Sequence, residues 1–338
     1  MPTDFDRSDN LQRPPLGATQ GAISKPLIVT GTFVSRVDNT ARGERPLDAS
    51  ASTSKHGHAI HFPNWRAGAL ALEDNPNLAF EHWDEYWRKV HGPKFAWDEP
   101  GSSGALVLRY DQLHRIASGP SSFFAPPYRA MIDASGKLPS DPHKHVPALQ
   151  RPLWDGLAYI TYAEQEDIET TLQQEKFAER IIADEQVAFR MVSREITREF
   201  ILIPSERHRD AISLVQIHHR NRELSREQFQ QRLLHEHAQR VLADPATTQF
   251  VRRYAQLHNI GSTQKDPEGS KIDAVSIFAF ASMNDVEDYL VSEGHAAIAA
   301  AEDALCGEGS EWWTALNYSV INRLMPEVAT VLPDECRG

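Results

Sequence analysis

The chain has 338 residues, 41% apolar and 24% charged, with a formal net charge of -12. That length allows two ordinary domains or one unit built from two similar halves, and the acidity excludes a phosphate-tracking nucleic-acid surface, which needs clustered Lys and Arg. Apolar runs such as AISLVQI from Ala211 fall far short of the roughly 20 residues of a membrane span, two cysteines (Cys306, Cys336) are too few for a disulfide framework, and MPTDFDRSDN lacks the features of a secretory leader, so a cytoplasmic protein is expected.

In chain order, residues 1–60 are rich in Ser, Thr, Asp, Arg, Gly and Pro and read as an irregular extension. They hold one apolar island, PLIVTGTFV from Pro26, that could serve as an edge strand or an arm. A first module is expected over 61–205. WRAGALALE from Trp65 reads as its opening strand, and Asn75-Pro76-Asn77 supplies a cap and first-turn proline for a helix. Phe80, Trp83, Trp87 and Val90 then form one apolar stripe that stops at His91-Gly92-Pro93. Strands follow at ALVLRYDQLHRI from Ala105 and GLAYITYA from Gly156, then a long helix from Glu166, then the strand REITREFILI from Arg194. The order is β-α-β-β-α-β.

A second module, 206–326, repeats that order, and 327–338 form a tail. DAISLVQIHH from Asp210 is a strand. Ser225 and Gln228 make a capping box inside the staple pair Leu224 and Phe229, which fixes a helix start. FVRRYAQLHNI from Phe250, AVSIFAFAS from Ala274, a helix from Asn284 and WWTALNYSVINRL from Trp312 complete it. VLRYDQLHRI from Val107 has its near-copy in VRRYAQLHNI, about 144 residues later. Trp83, Trp87 and His91 correspond to Phe229, Leu233 and His237, and Asp155 corresponds to Asp273. Several matches in one order imply an internal duplication.

A β-α-β-β-α-β unit folds as a ferredoxin-like sheet with both helices on one face. Its bare face needs cover, and burying several hundred Å² of it at ~25 cal/mol per Å² favours packing against the second copy. The expected fold is therefore α+β, with tandem ferredoxin-like repeats closing into an intrachain dimeric α/β-barrel. Alternate strand residues share a face, so Tyr110, Gln112 and His114, like Tyr254, Gln256 and His258, are expected to project together into the barrel chamber.

The helix FEHWDEYWRKVHGP followed by the strands LRYDQLH and WDGLAYITYA resembles the EthD family of dimeric α/β-barrel proteins. The resemblance spans about residues 60–325 as two tandem modules, with His237-Ala238-Gln239 where the first half has His-Gly-Pro. It implies a pocket and, from the wider superfamily, cofactor-free decarboxylases, dehydratases and isomerases of aromatic or polyketide-like molecules, beside haem-binding branches.

Histidine titrates near neutrality and moves protons in either direction, tyrosine can donate to an enolate oxygen, and glutamine can hold a carbonyl. His114, Tyr110, Gln112 and His91 are thus the expected catalytic set of a cofactor-independent lyase or isomerase. His258, Tyr254, Gln256 and His237 are the matching binding set. A bland reading stands beside this one: the strand residues form a satisfied buried network, and His91 and His237 cap helix carbonyls. Phe123, Phe124, Tyr128 and Met131, in a long insertion between the second and third strands, are expected to form a lid over one barrel mouth. His56-x-His58-x-x-His61 and His143-x-His145 have metal-like spacing but no carboxylate or cysteine partner, so no metal and no cofactor is expected. The expected partner is a small-molecule substrate, with no nucleic acid and no membrane, and the chain a monomer with a pseudo-dimeric core or a homodimer. The alternatives are a non-catalytic carrier of the same fold or a haem-dependent enzyme.

Overall fold

The computed structural model describes residues 26–36, 80–95, 103–128, 152–205, 210–261, 272–324 and 327–330. Eight strands run β1 (Leu27–Arg36), β2 (Arg109–Arg115), β3 (Gly156–Tyr162), β4 (Phe189–Ile203), β5 (Ile212–His218), β6 (Val251–Asn259), β7 (Ala274–Phe280) and β8 (Glu311–Asn322). They close into a barrel in the order β1-β3-β2-β8-β5-β7-β6-β4. Every neighbouring pair is antiparallel. The fold is mixed α/β around an eight-stranded antiparallel barrel.

The first strand departs from expectation. The apolar island after Pro26 is β1, hydrogen-bonded on one side to β3 and on the other to β4, so Leu27–Arg36 is a stave of the barrel and not part of an irregular extension. Its residues from Val29 to Arg36 are all buried, which the polar composition of its surroundings concealed. The segment from Trp65, expected in this role, lies outside the described residues.

Within each half the strands share one order, β4-β1-β3-β2 and β8-β5-β7-β6, and the seams are β2 against β8 and β4 against β6. Corresponding pairs confirm the register: Ile28 faces Tyr162 in β1/β3, and Ile212 faces Phe280 in β5/β7. The backbone N–H of Arg36 donates to Asp155, as that of Arg220 does to Asp273.

Period-two alternation sorts the side chains into an inner and an outer layer. Val29, Phe33, Leu113, Leu157, Val215, Leu257, Val275, Ile277 and Trp313 fill the barrel. Their neighbours Tyr110, Ala158, Ile160 and Tyr162 pack instead with Trp83, Trp87, Phe95 and Phe177 from the helices. Those helices are α1 (Phe80–Tyr86), α2 (Gln165–Gln173) and α3 (Ala183–Ala188) in the first half, and α4 (Arg226–Arg232), α5 (Ala238–Ala243), α6 (Met283–Val291) and α7 (Glu293–Asp303) in the second. The expected capping box is present at the start of α4, where Ser225 and Gln228 exchange hydrogen bonds. Among the described residues no helix is long and apolar enough to cross a membrane.

Candidate active site

The repeated Tyr-x-Gln-x-His motif faces outward, beneath the helices, and not into the barrel chamber. α1 runs into a π-helical turn, Trp87–His91, and α4 into its counterpart, Leu233–His237. A π turn offers its first carbonyl to the amide five residues on and leaves it open to a further donor. In both halves that donor is the motif glutamine. Gln112 Nε2 donates to the Trp87 carbonyl at 3.1 Å and to the Tyr110 hydroxyl at 2.9 Å. Gln256 Nε2 does the same to Leu233 at 3.0 Å and Tyr254 at 2.5 Å. With both amide hydrogens committed, the glutamine oxygen accepts from the histidine, at 3.3 Å for His114 and 2.9 Å for His258.

The motif is therefore a clamp between sheet and helix. His114 is 1% exposed and stacks on Trp87 with centroids 4.1 Å apart, and its Nδ1 contacts Asp84. Burial pulls its pKa down against the opposing pull of the Asp84 carboxylate. His258 is pulled down to about 3, again by burial first and then by the charges of His218, His235 and Arg198. Tyr110 and Tyr254 are raised by burial, so neither is a ready proton donor. A satisfied and enclosed network serves packing, and the expected catalytic part for His114, Tyr110 and Gln112 loses its geometric basis.

The barrel interior carries other polar groups. Arg109 and Arg253 both bind Glu199, at 2.7 and 2.8 Å, and both bind Glu327, while Arg253 and the Tyr159 hydroxyl meet at 3.2 Å. Arg109, Arg253, Tyr159 and Glu327 line a cavity of about 610 Å³, counted with its open mouth, at one barrel end, together with Asp111, Ser205 and Asp210. So a chamber exists, with both of its arginines committed to Glu199 and Glu327.

His91 is the expected residue that reaches a cavity. A cleft of about 430 Å³, counted with its open mouth, lies between the outer face of the first-half sheet and the helices. Thr30, Thr32, Tyr162, Glu185 and Arg194 line it beside the aromatic walls Trp87, Phe95, Phe177 and Phe189. The π turn sets His91 on its rim.

His91 Nδ1 is held 2.6 Å from Asp184 Oδ2, at the start of α3. The other Asp184 oxygen takes the Lys94 ammonium at 2.5 Å and the Tyr86 hydroxyl. Burial pushes the Asp184 carboxyl up, but the bonds from His91, Lys94 and Tyr86 outweigh it and hold the group below the ordinary carboxylate range. An ionised Asp184 fixes Nδ1 as the protonated nitrogen and leaves Nε2 for the cleft. Glu185, the next residue, pairs with Arg194 from β4.

Different side chains occupy the matching places in the second half. Leu214, Gln216 and His218 stand where the first half has Thr30, Thr32 and Val34, and Phe278 and Phe280 where it has Ile160 and Tyr162. His237, the counterpart of His91, is 1% exposed and meets Glu302 of α7 at 3.4 Å.

The expected lid lies elsewhere. Phe124 and Tyr128 stack at 4.7 Å, the Tyr128 hydroxyl donates to Glu287 of α6, and Ser121 bridges to Trp313. Phe123, Phe124 and Tyr128 are 44%, 57% and 42% exposed and line neither cavity, so they brace the second half instead of covering a mouth. Met131 and both histidine-rich stretches, His56 to His61 and His143 to His145, lie outside the described residues.

An eight-stranded α/β-barrel with a histidine–carboxylate pair between sheet and helices defines the class. Residues 221–305, from just after β5 to just after α7, match the model of the EthD domain family. No curated protein matches the chain in sequence. Among solved structures, the chain is similar to an anthrone oxidase-like protein, at 11% identity, 90% coverage of this chain, 98% of that chain and a TM-score of 0.46. It is also similar to a proposed monooxygenase from Lactobacillus acidophilus NCFM (6% identity, 90% and 99% coverage, TM-score 0.39) and to a mutant chlorite dismutase from Candidatus Nitrospira defluvii (10%, 88% and 93%, 0.36).

Proposed function

We propose that the chain is a small-molecule enzyme, a cofactor-independent lyase or isomerase of hydrophobic, oxygenated, aromatic or polyketide-like compounds, with its active site in the first-half cleft. The observation that carries this is His91: it lines the cleft while its Nδ1 is committed to an ionised carboxylate. His91 Nε2 takes a proton from carbon next to a carbonyl, and Asp184 stabilises the imidazolium that results. The electron pair moves onto the carbonyl oxygen, where the Arg194 guanidinium is the cationic group of the lining. Return of the proton to a second carbon completes an isomerisation. Its delivery to a departing hydroxyl completes a dehydration.

Two tandem ferredoxin-like modules account for this arrangement: the common strand order and the twice-built glutamine clamp support a duplication, and the EthD match in the second half agrees with it. The seams give a single chain the closed barrel that a dimer would otherwise form.

The reading is tested by α-proton exchange. A panel of 1,3-diketones and hydroxylated aryl ketones is incubated with the protein in deuterated water and followed by NMR. Wild type should accelerate exchange, and His91→Gln should lose roughly 10²-fold or more of that acceleration, whereas His114→Phe should retain it. Equal exchange by wild type and His91→Gln removes His91 from the chemistry. Binding without exchange across the panel would make the protein a carrier.

A further inference from the structure

A second group of chemically potent side chains lies in the other half, apart from the cleft. His218 ends β5, Glu302 lies in the last turn of α7, and Cys306 follows that helix. Their Nδ1, carboxylate and Sγ atoms all fall within 4.8 Å of one another. We propose that His218, Glu302 and Cys306 form a binding site for a divalent transition metal of the zinc type, with His237 at hand as a fourth donor.

The spacing fits a tetrahedral ion. Ideal Zn–N, Zn–O and Zn–S bonds at a tetrahedral angle separate N from O by about 3.4 Å and N from S by about 3.6 Å. His218 Nδ1 stands 3.6 Å from Glu302 Oε1 and 3.5 Å from Cys306 Sγ. The donor set is the imidazole, carboxylate and thiolate mixture that suits zinc and cobalt over calcium or magnesium.

The surroundings also support a ligand. His218 is 1% exposed, and its other nitrogen meets the Ser276 hydroxyl at 2.9 Å. A histidine that gives Nε2–H to an acceptor keeps its Nδ1 lone pair for a metal. His237 is equally buried; its Nε2 faces Glu302 Oε2 at 3.4 Å and its Nδ1 has no hydrogen-bond partner. A buried ring nitrogen without a partner is costly, and coordination of an ion by this cluster would relieve it.

The first half makes the contrast. There the carboxylate at the place of Glu302 is Asp184, and it is neutralised by Lys94 and Tyr86. The groups that face Glu302 are His218, His237 and His295. Val34 and Ala188 occupy the places of His218 and Cys306, so the donor set exists in one half only. Those two residues also give substitutions that the fold already accepts.

The experiment titrates cobalt(II) and zinc(II) into the full chain after chelator treatment, with the metal content measured after desalting. Wild type should retain one equivalent, and the cobalt form should show a thiolate-to-metal charge-transfer band in the near ultraviolet. Cys306→Ala and His218→Val should each lose the band and weaken retention at least 10-fold with far-ultraviolet circular dichroism unchanged, and His91→Gln should bind as wild type. Absence of a retained equivalent in wild type overturns the proposal. So does retention at wild-type strength by Cys306→Ala or His218→Val, which would place the ion at other histidines. Should Cys306→Ala fail to fold, Cys306→Ser reports on the band alone, and its persistence would refute the site.

Discussion

Replacing Gln256 by Leu tests the clamp that joins sheet to helix. Gln256 is fully buried and makes three hydrogen bonds, to the Leu233 carbonyl, the Tyr254 hydroxyl and His258 Nε2. Leucine matches the volume but offers none of them. The Leu233 carbonyl keeps its backbone donor from Ala238. His258 Nε2–H is left without its acceptor, and the Tyr254 oxygen loses a donor. Two such groups at ~1–3 kcal/mol each, offset by about 1 kcal/mol for burying a more apolar side chain, give a net loss of roughly 1–5 kcal/mol. Urea unfolding followed by circular dichroism at neutral pH measures it. Adding Tyr254→Phe should cost less in the Gln256→Leu background than in wild type, by about 1 kcal/mol, because the two groups share a bond. A loss below about 0.5 kcal/mol, with additive behaviour, would show that the motif does not hold the helix.

Other outcomes follow from the same geometry. Gly156 lies against the Trp87 ring, which a Cβ would overlap; Gly156→Ala should cost about 1–3 kcal/mol and alter tryptophan fluorescence, and Trp87→Leu should restore much of it, since Leu233 packs with Ala274 at the equivalent place. His258 has a folded-state pKa of about 3 against an ordinary histidine value of 6.5, so the unfolded chain binds its proton first. The stability it secures is present above pH 6.5 and is lost as pH falls toward 3, by up to ~1.4 kcal/mol per pH unit; His258→Gln should flatten that part of a stability–pH curve. Deleting residues 1–36 removes a strand paired on both sides and should abolish cooperative thermal unfolding, whereas a simple extension could be cut without that result.

Much of the fold was legible because its signals are local. Alternation marked β2, β3, β5, β6 and β7, Ser225 and Gln228 marked a helix start, and the double motif marked the two halves. Alternation shows that Tyr110, Gln112 and His114 share a face, yet it does not say which face is inside. Here both faces of β2 are polar, because Arg109 and Arg115 on the inner side find partners at Glu199, Glu327 and Asp155, residues far away in the chain. Single-sequence reading has no means of matching those charges beforehand. β1 reads in the sequence as no more than an edge strand or an arm, because its neighbours in sequence are polar and the strands that pair with it on both sides, β3 and β4, are distant. His91 stands out in the sequence from its position at the end of an apolar helix. Asp184, Lys94 and Arg194 do not, although Asp184 and Glu302 stand at equivalent places in the long helical segments and would emerge from a fuller alignment of the halves.

The two seams, β2 against β8 and β4 against β6, carry a consequence for what this chain can become. In an assembly of identical subunits each substitution is written twice, and a change that helps one copy must be tolerated by the other. Here the halves are covalently bound in fixed proportion but encoded separately. One can keep an open cleft beside His91 while the other fills the same space with Phe278, Phe280 and His218, and neither alteration needs the consent of its neighbour.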